Sequence, residues 1–183
     1  MGHRVPFHES KCKHPHGHRY KVEATVEGDV VPEEQEVNDS GMVMDFGFLK
    51  TIMTEHIHDR YDHAFVYWDK DPIGTRLKEA CVALGLDAPR VFSVDFVPTA
   101  ERLAKHFFET LDPLVQSTYG NDLRLQQVKV WETPTSTATF DREEWDAYCA
   151  EHGRPIRIGD YTPEHSEWRQ RLFTKHEEHE EEL

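Results

Sequence analysis

Residues 12–28 read CKHPHGHRYKVEATVEG, and two patterns overlap in them. From His18 onward, Tyr20, Val22, Ala24 and Val26 alternate with Arg19, Lys21, Glu23 and Thr25. A period of two predicts a half-buried strand. His16 and His18 stand two apart at its entrance. Side chains two apart on a strand share a face, so both imidazoles can reach one ion. Neutral imidazole is a good zinc ligand, and Gly17 between them allows tight backbone geometry. An ordinary surface or core histidine pair is the competing reading. His3, His8 and His14 lie upstream as candidates for a third ligand, with Pro15 breaking regular strand geometry just before His16.

Strands and helices alternate through the rest of the chain. GMVMD at 41–45 reads as a short strand, and Asp45 as the N-cap of a helix over 46–60. Residues 63–68 read as extended, DKDP as a turn, and 73–84 as a helix ending at Gly85. RVFSVDFVP is extended, and Thr99 caps a long amphipathic helix that Pro113 is expected to kink or divide. LRLQQVKVWE at 123–132 and TATF at 137–140 form a hairpin, and 142–152 a short helix. His56 and His58 sit on a helix and point apart, so they do not share a metal. His106 is expected on a helix surface.

Bulk properties bound the function. The net charge of −14 argues against a broad basic face for nucleic acid. Arg4, Lys11, Lys13, Arg19 and Lys21 nevertheless cluster near the start, where a small anion can bind. No apolar run approaches the roughly 20 residues of a membrane helix, and the opening stretch does not read as a secretory signal. Three scattered cysteines point to a reducing, cytoplasmic setting. Residues 141–183 carry 13 acidic and 6 basic residues and end in KHEEHEEEL, read as a solvated charge run in which His176 and His179 offer at most a weak metal trap.

Three further features carry chemistry. Cys12 is a candidate nucleophile or base, because nearby zinc and Lys11 and Lys13 favour a thiolate. Asp62 beside His63 can set the imidazole's tautomer and raise its basicity. Glu132 closes an apolar strand, where a carboxylate can accept paired N–H donors from a heterocycle.

Together these residues resemble the 6-pyruvoyl- and 6-carboxy-tetrahydropterin synthase family. The matching stretches are GHRVP at 2–6, CKHPHGHRY at 12–20, GMVMDF at 41–46, YDHA at 61–64, PTAERLA at 98–104 and VWETPTS at 130–136. The resemblance implies an enzyme domain over 1–140 and an acidic extension over 141–183. It implies an α+β fold, with an antiparallel sheet of four strands and two long helices on one face. The first strand is expected to be largely missing, because the family carries a full strand before its first metal histidine. Zn2+ is implied on His3, His16 and His18. Cys12, Asp62 and His63 are implied as catalytic, and Glu132 with Thr133 as pterin-binding. The implied reaction is a lyase conversion of 7,8-dihydroneopterin triphosphate to 6-carboxytetrahydropterin, acetaldehyde and triphosphate, a step of queuosine and 7-deazapurine biosynthesis. Triphosphate elimination to 6-pyruvoyl-tetrahydropterin is the alternative, and a truncated non-catalytic zinc scaffold is a reading of another class. A homotrimer or homohexamer with sites between subunits is implied as well.

Overall fold

The computed structural model describes residues 1–86, 90–120 and 122–153. In chain order these form β1 (Gly2–His3), β2 (His16–Gly17), β3 (Lys21–Gly28), α1 (Phe46–Met53), α2 (Asp59–Tyr61), β4 (Phe65–Trp68), α3 (Pro72–Ala83), β5 (Val91–Val94), α4 (Ala100–Tyr119), β6 (Leu123–Thr133), β7 (Ser136–Asp141) and α5 (Arg142–His152). One wide π-helical turn, Thr54–His58, joins α1 to α2 into a single helical run. The chain divides into two compact units, Met1–Asp146 and Ala147–Leu183. Of the second, the described residues end α5, where the Tyr148 ring stacks on His152 at 4.4 Å. His176 and His179 lie outside the described residues. No helix among the described residues is long and apolar enough to cross a membrane.

The α+β class expected from the sequence is present, with its strands divided between two sheets. The first is antiparallel, ordered β3-β6-β7. Val22 faces Val130 and Ala24 faces Val128 across β3 and β6. The buried positions of β6 run Leu123 and Leu125, then Val128 and Val130, so the alternation slips by one residue. A bulge absorbs the slip: Thr25 pairs with Gln127 and Val26 with Leu125, leaving Gln126 as the extra residue. α4 lies on β6 and β7, and α1 packs against α4. Leu103, Phe107, Phe108, Leu111 and Val115 of α4 are all buried, as are Leu125, Val128 and Val130 beneath them. Pro113 does not divide α4, which runs unbroken for 20 residues. Burial of Leu111, Leu114 and Val115 around it offsets the roughly 3 kcal/mol that an interior proline costs.

The second sheet is small and mixed, ordered β2-β1-β4-β5. β1 runs antiparallel to β2 and parallel to β4, and β4 parallel to β5. Parallel neighbours need a crossover, and α3 supplies it between β4 and β5. The residues around His3 therefore do not extend the antiparallel sheet. That sheet has three strands among the described residues, and β3 is laddered on one side only. A cavity of about 590 Å³ lies between β3 and the α1 run, walled by Val22, Leu49 and Met53 on its apolar side and reached by His18, Tyr20 and Asp62.

Two local readings are corrected. GMVMD is a turn rather than a strand. Gly41 adopts φ +79°, and the backbone closes on itself through Gly41 N–H to Val31 O (2.8 Å) and Val31 N–H to Met42 O (2.9 Å). His106 is not a surface residue: its ring packs among Tyr61, Phe96 and Phe107. Burial, with help from Arg60 and Arg102 and against Asp95, pushes its pKa down to about 4.

Buried ion pairs tie the elements together. Arg142 pairs with Asp112 of α4 and donates to Leu125 O of β6. Arg4 Nη1 meets Asp71 Oδ1 at 2.8 Å, and its Nε donates to Lys13 O. Asp71 also caps α3 through Ile73 N–H. Arg4 is 7% exposed and Asp71 1%, so neither charge is stabilised by water. Asp71→Ala strands a buried guanidinium and is expected to destabilise the fold by about 3–5 kcal/mol, read as a lower urea midpoint at unchanged slope. A second outcome follows from His106. The unfolded state takes up its proton near pH 6.5, whereas the folded state resists until about 4. Stability is full above pH 6.5 and is lost as the pH falls toward 4, by about 3 kcal/mol or less. His106→Phe should flatten that part of the pH profile in thermal melts at pH 7, 5.5 and 4.5.

Candidate metal centre

The centre is built where β1 pairs with β2. His3 faces His16 across the ladder, as Gly2 faces Gly17. Gly17 eases that approach: a Cβ there would stand 3.3 Å from Met1 O and 3.6 Å from Gly2 Cα. His18 follows on the face of His16, held by its N–H to Met1 O at 3.2 Å. The ring centroids of His3 lie 4.5 Å from His16 and 5.7 Å from His18, with His16 to His18 at 5.0 Å. One nitrogen from each falls within 4.8 Å of the others. His3 supplies the third position that the sequence left open among three upstream histidines.

The hydrogen bonds fit this trio to a metal. A carbonyl only accepts, so His3 Nδ1–H donates to Pro98 O at 2.7 Å and His16 Nδ1–H to His14 O at 2.8 Å. Both rings then keep a lone pair on Nε2, the arrangement of a ligand oriented from behind. Burial, chiefly, lowers the His3 pKa, aided by His16 and His18 and opposed by the Pro98 bond and Glu132. The neutral form required of a ligand is thus favoured.

Glu132, at the end of β6, stands beside the trio. Its Oε1 lies 3.2 Å from His3 Nε2 and 3.9 Å from His18 Nε2. Between them sits Tyr20, which sequence reasoning placed only as an inward strand residue. Its hydroxyl is 3.0 Å from His3 Nε2 and donates to Glu132 Oε1 at 3.1 Å. Burial, then the Glu132 carboxylate and the Cys12 sulfur, hold the Tyr20 phenol well above its ordinary pKa, so it keeps its proton. The signal that would have found it was the alternation itself, which carries His16, His18 and Tyr20 along one face.

The remaining candidates are placed less centrally. Cys12 is half-buried in a short turn, Lys11–Lys13, and its carbonyl accepts from Val5 N–H at 2.9 Å. It lies near enough for its charge to act on Tyr20. Thr133 pairs with Ser136 across the hairpin, and its Oγ1 accepts from Thr135 N–H. Asp62 and His63 form the expected pair, with His63 Nδ1–H donating to Asp62 Oδ2 at 2.8 Å. That bond lowers the Asp62 pKa. His63 sits at φ +56°, in the left-handed region that few residues other than glycine adopt, and is 88% exposed. Gly2 N–H donates to Ala64 O (2.7 Å), which ties this segment to β1. Among the described residues no hydrogen bond or ion pair joins Asp62 or His63 to the three histidines.

Fold and site together define an α+β protein with a three-histidine cluster able to hold a metal ion. The chain belongs to the 6-pyruvoyl tetrahydropterin synthase family, whose model matches residues 1–143. It is 33% identical over 140 residues to the 6-carboxy-5,6,7,8-tetrahydropterin synthase of Haemophilus influenzae, covering 76% of this chain and 91% of that one. The enzyme of the same name from Aquifex aeolicus is 36% identical over 135 residues, with 73% and 78% covered. Among solved structures, an uncharacterized protein of Wolinella succinogenes superposes with a TM-score of 0.60 at 25% identity, covering 77% of this chain and 92% of that one. The 6-pyruvoyltetrahydropterin synthase of Plasmodium vivax, a catalytic-residue mutant, shares the fold with a TM-score of 0.50 at 18% identity over 77% and 88% of the two chains.

As a zinc site the cluster should lose affinity by about 100-fold or more in His16→Ala or His18→Ala, because each would remove one of three candidate ligands. Equilibrium competition with a chromophoric chelator measures this, and stoichiometric, equally tight zinc in either variant refutes the assignment.

Proposed function

We propose that this protein is a zinc-dependent lyase, a 6-carboxy-5,6,7,8-tetrahydropterin synthase acting on 7,8-dihydroneopterin triphosphate. The observation that carries the reading is the convergence of His3, His16 and His18 with Glu132. Further support is the shared name of the two relatives at 33% and 36% identity. The products would be 6-carboxytetrahydropterin, acetaldehyde and triphosphate, and a cytoplasmic role in queuosine and other 7-deazapurine synthesis follows from them. Residues 1–140 would form the enzyme domain and 141–183 an acidic extension.

Each residue has a part. Glu132 accepts the amino and ring N–H groups of the pterin, with Thr133 beside it. A zinc ion on His3, His16 and His18 supplies Lewis acidity toward the side-chain hydroxyls. Cys12 takes one proton as its thiolate, and His63, aligned by Asp62, moves the other. Basic side chains near the start, Lys11 and Lys13 among them, meet the triphosphate. The exposure of His63, 88% accessible beside Asp62, supports a site completed between copies in a homotrimer or homohexamer.

Mass analysis of products from zinc-loaded protein and dihydroneopterin triphosphate tests the reading. Loss of the side-chain carbons as acetaldehyde is expected. Their retention identifies the 6-pyruvoyl reaction instead, and absence of turnover points to a zinc-binding scaffold. Cys12→Ala should keep zinc and lower turnover by about 100-fold or more; unchanged turnover removes the cysteine from the proton transfer.

A further inference from the structure

We propose that Tyr20 is a positioning residue for the metal centre, whose hydroxyl holds the Glu132 carboxylate on the open side of His3 and His18. The inference rests on the reading of the three histidines as a metal site, and it assigns Tyr20 a task separate from that of any ligand.

The geometry is specific. Ligands around a tetrahedral zinc ion, at their usual bond lengths, stand about 3.3 Å from one another. Glu132 Oε1 is 3.2 Å from His3 Nε2 and 3.9 Å from His18 Nε2, close to the spacing of a fourth ligand. A free glutamate side chain gives up rotamer entropy to stay there. Tyr20 restrains it, with its hydroxyl 3.1 Å from the same oxygen. Its ring is fixed in turn by T-shaped contacts with His3 and His18 at 5.8 and 5.9 Å.

Metal binding strengthens the restraint. The Tyr20 hydroxyl has one proton and two acceptors, Glu132 Oε1 and His3 Nε2. His3 Nδ1–H is committed to Pro98 O, so Nε2 carries the lone pair that a metal uses. Once it is used, Glu132 is the acceptor that remains to the hydroxyl. The carboxylate is then tied beside the ion whenever the site is loaded and no substrate displaces it. A phenylalanine at position 20 keeps the ring and loses only this control.

The test uses the full chain loaded with Co2+, whose visible absorption reports ligand number and identity, and zinc affinity by competition. Tyr20→Phe is expected to weaken zinc about 10-fold, in the range for loss of an outer hydrogen bond, and to change the cobalt spectrum as Glu132→Gln does. On the Glu132→Gln background, Tyr20→Phe should have no further effect. The proposal is overturned if Tyr20→Phe leaves both readouts unchanged, or if its effect is as large without the carboxylate as with it. Should Tyr20→Phe fail to fold, an unaltered cobalt spectrum in Glu132→Gln overturns it alone. Those outcomes spare the metal site; tight zinc in His16→Ala removes the site and the proposal together.

Discussion

The hydrogen bond from His3 Nδ1–H to Pro98 O joins the two parts of the molecule that matter most. His3 sits on a strand of two residues, too short to hold a ligand by its own ladder. It is fixed by its surroundings: β2 on one side, β4 on the other, and Pro98 behind the ring. Pro98 immediately precedes Thr99, whose side chain caps α4, and α4 is the helix on which the antiparallel sheet rests. The position of the buried His3 imidazole is therefore set by the packing of the main core. The next residue, Arg4, adds a second anchor through Asp71 at the start of α3.

This arrangement explains why polar groups lie so deep near the chain start. A buried imidazole, guanidinium and carboxylate cost more to desolvate than their contacts return unless each is satisfied. Here His3 has a carbonyl, Arg4 a carboxylate and a carbonyl, and Asp71 Oδ1 a guanidinium and a helix N–H, while Asp71 Oδ2 is buried without a hydrogen-bond partner among the described residues. Such pairing fixes geometry more than it adds stability. A metal site gains from that, because ligand directions are settled before an ion arrives.

Much of this was legible from residue order. The period of two over Tyr20–Val26 gave β3, the caps Asp45 and Thr99 gave the starts of α1 and α4, and the spacing of His16 and His18 placed two imidazoles close together. Other features depended on contacts across long separations. Spacing alone did not separate His3 from His8 and His14; the family resemblance singled it out, and the cross-strand pairing with His16 brings it to the other two. The second sheet was hidden because its strands are two to four residues long and their partners distant. His106 looked exposed because its neighbours in sequence are Lys105 and Phe107, whereas Phe96 and Tyr61 arrive from other elements. Tyr20 was read as core, since an alternating pattern does not say that a hydroxyl at its inner end meets a carboxylate 112 residues away.

The left-handed backbone of His63 has an evolutionary consequence. A side chain there costs the fold on the order of 1 kcal/mol or more, and glycine relieves that cost. Selection for stability alone would therefore draw this position toward glycine and discard the imidazole. Random drift has a preferred direction at position 63, and it runs away from histidine. Under the proton-transfer role proposed for His63, a lineage released from that need would become more robust as it lost the residue.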